Sequence, residues 1–462
     1  MEEKKLSVGV KLGYGICDLG GNLFFTATAF VLLNYLTDTV GLAASLAGTA
    51  LMIGRIWDAF YDPIIGFVSD RTVTRWGRRR PYLFIGAMPL LVAMILMFAN
   101  PALFAGKGFV SAQHQTFLFI YTIIVYIILC TAYSTVNIPY SSMTPELTAD
   151  FHERTSLNGY RFGSAVFGTL LGAGAALPIV NLFADRNIGF VVMGLIFGGV
   201  MFITALITVF AVREPAILRP ATSMGFLKTY LKVFKNGPYI LILLTYVLHI
   251  AAITIVSGIA IYYFKYIHKN EAMTTMALLI LLVTAMVFIP VSVVLGKRIG
   301  KKIIYGSGMV IIAIMLMILF FWGHVKPVNF SLAMMFFMGI GFGFTYVMPY
   351  AIVPDAIEYD YLQTGERREG AFYGIWTWAL KIGQALAVMI MGWVLGFMGY
   401  VANIVPQAPK VELGIRLFMG PIAASIFVLG AVVLAFYPIN EERYKEILAQ
   451  IKVMEAQAQQ KV

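Results

Sequence analysis

The sequence predicts an all-α membrane protein of twelve transmembrane helices in two six-helix halves, and three features carry that expectation. Of its 462 residues, 60% are hydrophobic and only 12% are charged, whereas a soluble domain carries roughly a quarter charged residues. Apolar stretches recur along the whole chain, each near the roughly 20 residues of helix that cross a hydrocarbon core of about 30 Å. Basic residues crowd every second connection between these stretches. The stretches are too long and too uniformly apolar for the alternating ten-residue strands of a barrel.

In chain order the expected spans are Leu12–Thr37, Leu42–Ser69, Pro81–Phe104, Gln113–Tyr140, Leu157–Phe183 and Gly189–Val212. A second set follows at Pro238–Tyr266, Ala272–Leu295, Ile303–Trp322, Phe330–Val353, Ala371–Tyr400 and Leu413–Tyr437. The net charge of +11 could suggest nucleic acid in a soluble protein, but its distribution argues otherwise. Arg71, Arg75, Arg78, Arg79 and Arg80 follow the second span. Arg213, Arg219, Lys228, Lys232 and Lys235 follow the sixth. Lys297, Arg298, Lys301 and Lys302 follow the eighth, and Arg443, Lys445, Lys452 and Lys461 lie in the tail. The alternate loops hold few, such as Lys107, Arg186, Lys326 and Lys410. The positive-inside rule then places both termini and the even-numbered loops in the cytoplasm of a multi-pass protein of a bacterial-type cell membrane. No nucleic-acid partner is expected. Met1–Lys5 is polar with no cleavable signal visible, so the first span is expected to be retained.

Residues 1–212 read as the N-terminal six-helix half, 213–237 as a central cytoplasmic loop, 238–437 as the C-terminal half and 438–462 as a cytoplasmic tail. Two echoes relate the halves. Gly66 to Arg71 with Trp76-Gly77-Arg78-Arg79-Arg80 after the second span parallels Gly296-Lys297-Arg298-Ile299-Gly300-Lys301-Lys302 after the eighth. Ile138-Pro139-Tyr140, Pro145-Glu146, Glu153-Arg154 and Gly159 parallel Met348-Pro349-Tyr350, Pro354-Asp355, Glu366-Arg367 and Gly370. Two parallel repeats with a midplane site between them is a transporter plan.

An acidic residue near the bilayer centre costs several kcal/mol, so Asp58 and Asp62 inside the second span need a reason. Four residues apart, their carboxylates share one helix face, and two like charges so close disfavour joint ionisation. A proton or a bound cation relieves them, which is the signature of a coupling site; an ion pair with Arg55 or another helix is the structural alternative. Lys381 in the eleventh span and Arg161 at the start of the fifth are candidate counter-charges or solute contacts, since intramembrane bases rarely face lipid; Arg161 could also snorkel to the interface. Asn22 and Asn137, each within a span, could bind a polar ligand or join helices.

Other features read as packing. His249 fits a hydrogen-bonded histidine between helices better than a proton carrier. Gly168, Gly172 and Gly174 fit close helix contact, and Cys17 and Cys130 fit small apolar packing residues. Tyr262-Tyr263-Phe264 suits an interface belt or a sugar platform. No P-loop and no zinc-protease motif occurs, so neither an enzyme nor a cofactor is expected.

The stretch from Arg55 through Asp58 and Asp62 to Pro63, with Asp70-Arg71 and Trp76-Gly77-Arg78, resembles the glycoside–pentoside–hexuronide:cation symporters of the major facilitator superfamily, the family of the melibiose permease. Ile138-Pro139-Tyr140, Gly365 through Gly370 and Thr377-Trp-Ala-Leu-Lys381 match in the same order, and the resemblance runs from Leu12 to about Tyr437. It implies the major facilitator fold, and a coupling ion, Na⁺ or H⁺, held by Asp58 and Asp62 with the hydroxyl of Ser134 and with Lys381 alongside. It implies a sugar bound by Asn22, Tyr133, Asn137, Arg161, Tyr346 and Thr377. The melibiose-type pattern has an asparagine at Tyr61, a difference that bears on the choice between Na⁺ and H⁺. Galactoside-carrying members have aspartates where Asn22 and Asn137 stand and a tryptophan at Ser141. The expected solute is therefore a hexuronide or pentoside ahead of a galactoside. Among these positions Asp58 and Asp62 balance Arg161 and Lys381, so a bound cation leaves a net positive site that favours an acidic sugar, while two asparagines equally suit the hydroxyls of a neutral pentoside. Two other readings are a Na⁺-coupled lysolipid transporter of the same fold and a non-transporting membrane receptor or scaffold.

Overall fold

A computed structural model describes residues 6–104, 110–148, 151–214, 233–366 and 368–459. Met1–Lys5, Lys107, most of the expected central loop with Arg219, Lys228 and Lys232, and also Arg367 and Lys461 lie outside them, as do the side chains of Pro145, Glu146 and Arg154.

Among the described residues the regular structure is helical, joined by turns and loops. The first six helices are α1 (Val8–Thr39), α2 (Ala44–Arg71), α3 (Arg80–Met97), α4 (Gln115–Leu147), α5 (Phe151–Asn181) and α6 (Arg186–Ala211). They are followed by α7 (Gly237–Ile267), α8 (Met273–Ile299), α9 (Lys301–Gly323), α10 (Val328–Thr364), α11 (Glu369–Phe397) and α12 (Pro409–Ala435). Among the described residues eleven helices are long and apolar enough to cross a membrane. α2 makes the twelfth: it spans 28 residues but carries Arg55, Asp58, Asp62, Asp70 and Arg71.

The differences from the expected spans have local causes. α3 stops at Met97 rather than Phe104, because Asn100 precedes Pro101, and its Oδ1 accepts the Ala102 N–H at 3.0 Å, capping a separate short turn. α10 runs on past Val353 to Thr364, where Gly365 at φ +66° ends it. The tail is a further helix, α13 (Glu441–Gln459), whose Ile447 and Ile451 are buried and whose Glu455 accepts the Tyr361 hydroxyl at 3.1 Å. Apolar side chains such as Phe60, Ile64, Phe67, Ile85 and Phe117 are exposed, as suits helices whose solvent is lipid rather than water.

Packing gathers Met1–Thr222, Ser257–Leu279 and Ala385–Ile415 into one compact unit and Ser223–Val256, Ile280–Gln384 and Arg416–Val462 into a second. In the first unit, glycines set how closely helices approach. A Cβ on Gly15 would lie 2.8 Å from the Tyr160 carbonyl carbon, one on Gly168 2.3 Å from the Leu19 carbonyl oxygen, and one on Gly172 2.6 Å from Thr26. α1 and α5 therefore touch almost backbone to backbone. Gly174 faces Leu279, 3.1 Å from where its Cβ would stand. Gly168→Ala is expected to destabilise the protein by about 1–3 kcal/mol, since only a shift of α5 makes room. Gly199→Ala, with nothing within 4 Å of the added carbon, is the control; equal melting temperatures for the two variants would contradict this packing.

The turn between α2 and α3 is held by Glu214, whose carboxylate accepts the backbone N–H groups of Arg78, Arg79 and Arg80 at 2.6–3.0 Å, an acid at a helix N-terminus. Gly77, at φ +108°, permits the approach: a Cβ there would meet the Glu214 carboxyl carbon at 2.7 Å. Arg79 pairs with Asp70 and donates to Ser69 Oγ at 2.6 Å.

A second polar cluster joins the end of α1 to α7 and to the segment after α11. The Asp38 carboxylate accepts hydrogen bonds from Thr37 Oγ1 (2.8 Å), Tyr266 (2.6 Å), Tyr400 and Lys265. Asn403 Nδ2 donates to the Asp38 carbonyl at 2.6 Å, and the Tyr262 and Thr37 hydroxyls share a bond of 2.8 Å. Tyr262 and Tyr263 are thus buried, and Tyr262 belongs to a hydrogen-bonded cluster rather than to an interface belt.

In the second unit, Lys301 pairs with Asp355 at 2.9 Å and Arg368 with Asp360 at 2.7 Å. His249 is buried with Nδ1 3.2 Å from the Tyr305 hydroxyl, a packing histidine. In the first unit, Cys17 and Cys130 are buried and form no disulfide.

Candidate functional site

The site begins with α2. Its register places Asp58 one turn before Asp62, and Pro63 supplies no N–H to the carbonyl four residues earlier, that of Ala59. Asp58 is 1% exposed. Ser134 of α4 donates its hydroxyl to Asp58 Oδ1 at 2.7 Å, so the sequence-predicted serine and aspartate meet. The same two helices are joined on either side: Trp57 Nε1 donates to Thr131 Oγ1 at 2.8 Å, and Tyr61 and Thr135 share a hydroxyl bond of 3.1 Å. Arg55, one turn before Asp58, is buried. Its Nη2 donates to Thr28 Oγ1 at 3.0 Å, and its guanidinium lies 5.7 and 5.9 Å from the Phe24 and Phe25 ring centres. Carboxylate and hydroxyl oxygens are the donors that hard monovalent cations take, and a buried carboxylate can equally carry a proton.

A second group of polar side chains sits along α1, α4 and α5. Tyr133 is buried and stacks on Phe24 at 4.1 Å between ring centres. It lines a narrow cavity with Asn137, Gly20 and Gly21. Asn22 donates from Nδ2 to the Asp18 carbonyl at 2.8 Å and accepts from Thr169 Oγ1 at 3.2 Å. Arg161 does not snorkel: Nε donates to Asp18 Oδ2 at 2.7 Å and Nη1 to Thr144 Oγ1 at 2.9 Å, with the Tyr140 ring 4.8 Å beneath the guanidinium. Tyr140 also donates its hydroxyl to Asp18 Oδ2 at 2.8 Å. Asp18 is not among the sequence-predicted site residues. Its signal was present: an acid inside the first span, four residues before Asn22 and so on the same helix face.

Lys381, Tyr346 and Thr377 belong to the second unit. Lys381 is buried and Tyr346 exposed. Thr377 returns its hydroxyl to the Tyr373 carbonyl at 3.0 Å. Around them Trp376 stacks on Tyr246 at 4.1 Å, and Tyr246 and Tyr350 share a hydroxyl bond of 2.9 Å.

A helical membrane protein of this topology, with an acidic pair on one helix face, has clear structural counterparts. The fold matches a crystal structure of a variant of the nucleoside transporter NupG at a TM-score of 0.68 and 14% identity, covering 92% of this chain and 99% of that one. It also matches a bacterial homolog of the human lysosomal transporter Spinster at 0.63 and 13%, covering 97% of each. The class is therefore the major facilitator fold. A family model for MFS/sugar transport proteins matches residues 13–441, and the chain belongs to that family, the glycoside–pentoside–hexuronide:cation symporters of the major facilitator superfamily. Relatives include the glucuronide carrier protein homolog of Escherichia coli, 29% identical over 97% of this chain and 96% of that protein. The isoprimeverose transporter of Lactiplantibacillus pentosus is 28% identical over 97% and 92%. The protein is a membrane transporter and not an enzyme.

Proposed function

We propose that the protein carries a glycoside together with Na⁺ or H⁺, with Asp58, Asp62 and Ser134 holding the coupling ion. The observation that carries this reading is the buried Asp58 carboxylate with the Ser134 hydroxyl on it and a second acid one turn away. Asp58 is buried and Asp62 half-buried, and two like charges one turn apart disfavour joint ionisation, so entry of a cation or proton on this pair would be tied to the solute cycle. Asn22, Tyr133, Asn137 and Arg161 are the proposed sugar contacts on the first unit. On the family resemblance, Tyr346 and Thr377 are proposed as sugar contacts and Lys381 as a balancing charge for the coupling ion. The relatives named for glucuronide and isoprimeverose support a hexuronide or a pentose-containing glycoside as the solute class. Both termini are proposed to be cytoplasmic, from the placement of the basic loops.

Right-side-out vesicles test it. Accumulation of nitrophenyl β-xyloside, β-glucoside or β-glucuronide above its external concentration, driven by an inward Na⁺ or H⁺ gradient and abolished by collapsing that gradient, is the expected result. Uptake inhibited by lysolipids and indifferent to sugars would select the lysolipid reading, and no flux of any solute the receptor reading.

A further inference from the structure

Arg161, the cation that would attract an acidic sugar, already has an acidic partner in the structure. Asp18 Oδ2 takes the Arg161 Nε–H at 2.7 Å and the Tyr140 hydroxyl at 2.8 Å. Thr144 Oγ1 takes Nη1 at 2.9 Å and shares a bond of 2.8 Å with the Tyr14 hydroxyl, which also reaches the Tyr140 carbonyl at 2.7 Å. Gly15 fixes the separation of the helices here, because a Cβ would stand 3.1 Å from the Arg161 backbone nitrogen. The pair is nonetheless reachable, with side-chain exposures of 19% for Arg161 and 16% for Asp18.

A guanidinium binds a carboxylate best through two nitrogens at once, either Nε with Nη2 or Nη1 with Nη2. Each of those edges already has one nitrogen in use here. Nη2 is the nitrogen without a hydrogen bond among the described residues. The charge is also compensated locally, so an arriving sugar acid gains little Coulomb attraction and must displace or repel Asp18. A neutral hydroxyl needs one donor and meets no repulsion.

We propose that Asp18 is a specificity-determining residue: by occupying Arg161 it leaves a single-point donor for a sugar hydroxyl and disfavours an acidic sugar at that position. The inference rests on the glycoside reading above and chooses the neutral glycoside within it. Asp18 acts through Arg161 and is a positioning residue.

Equilibrium binding of nitrophenyl β-xyloside, β-glucoside and β-glucuronide to the purified full-length protein in Na⁺ buffer tests it. The wild type should bind the glucuronide no more tightly than the glucoside. Asp18→Asn, which keeps the shape and removes the charge, should shift the glucuronide-to-glucoside affinity ratio toward the glucuronide by about tenfold or more. Adding Arg161→Gln to that variant should abolish the shift. Asp18→Ser, a smaller neutral side chain that still offers an oxygen acceptor, should move the ratio in the same direction and decides the matter if Asp18→Asn fails to fold. An unchanged ratio in a folded Asp18→Asn or Asp18→Ser protein overturns the inference while leaving glycoside transport standing. Failure of the wild type to bind any of the three overturns the glycoside reading, and the inference with it.

Discussion

Asp38→Ala should lower the stability of the folded protein by roughly 3–5 kcal/mol, the usual effect of removing one partner of a buried ion pair. The side chain of Asp38 is 1% exposed and that of Lys265 12%. Without the carboxylate, the Lys265 ammonium stays in place between Asn403 Oδ1, at 2.8 Å, and the Tyr266 ring, 5.3 Å away. Neither can neutralise it. The Tyr266 and Tyr400 hydroxyls lose an acceptor at the same time, although they retain each other at 2.8 Å. The damage should therefore be mostly electrostatic, and a second substitution should repair part of it. Asp38→Ala with Lys265→Met removes both charges and fills much of the space with apolar volume, so it should melt well above the single Asp38→Ala variant. Asp38→Asn, which keeps an acceptor and loses the charge, should fall between them. Thermal unfolding in detergent, followed by intrinsic fluorescence, measures all three. A single variant that melts with the wild type, or a double variant that melts below Asp38→Ala, would show that the cluster does not hold these segments together.

That cluster was invisible in the sequence for a physical reason that applies to the whole molecule. Hydropathy and charge placement concern one helix at a time, and there they succeed: among the described residues eleven helices declare themselves by length and apolar character. α2 was legible despite its charges because Asp58 and Asp62 stand four residues apart inside an otherwise apolar run. The Ser134–Asp58 contact followed from family resemblance rather than from spacing, and the structure makes it a 2.7 Å hydrogen bond. Partners on different helices leave no periodic trace. Asp18 and Arg161 are 143 residues apart, and Asp38 and Lys265 are 227 apart. Asp38 lies just past Thr37, the expected end of the first span, where a solvated carboxylate is ordinary. An acid at such a position marks a buried partner only when the helix continues around it, and here α1 continues to Thr39. The charge balance of the sugar site meets the same obstacle: Asp18 pairs with Arg161 from another helix, and spacing along the chain gives no sign of that pairing.

The largest functional effect should come from Asp58→Asn. Asparagine keeps the volume and can still take the Ser134 hydroxyl through its carbonyl oxygen, so helix packing around the site should survive. What it removes is the negative charge that compensates a cation. A buried monovalent cation without that charge loses interactions of at least about 3 kcal/mol, equivalent to a fall in affinity of roughly a hundredfold or more. Asparagine also cannot take up a proton in place of the acid, so the substitution abolishes coupling to either ion. Coupling is reciprocal: whatever factor the cation adds to sugar affinity, the sugar adds to cation affinity. In the wild type, saturating Na⁺, or low pH if the coupling ion is H⁺, should tighten glycoside binding. In Asp58→Asn that factor should fall to one while binding without the cation changes little, because the sugar contacts proposed on α1, α4 and α5 are untouched. Ser134→Ala removes one neutral ligand and should weaken cation affinity by a smaller amount, about 1 kcal/mol or roughly fivefold. In vesicles, Asp58→Asn should equilibrate a glycoside down its gradient and fail to accumulate it. Glycoside affinity measured across a cation titration for the three proteins separates the outcomes. If Asp58→Asn still binds sugar more tightly with added cation, by the wild-type factor, then the coupling ion does not sit on Asp58, and the buried carboxylate with its serine serves only to join α2 to α4.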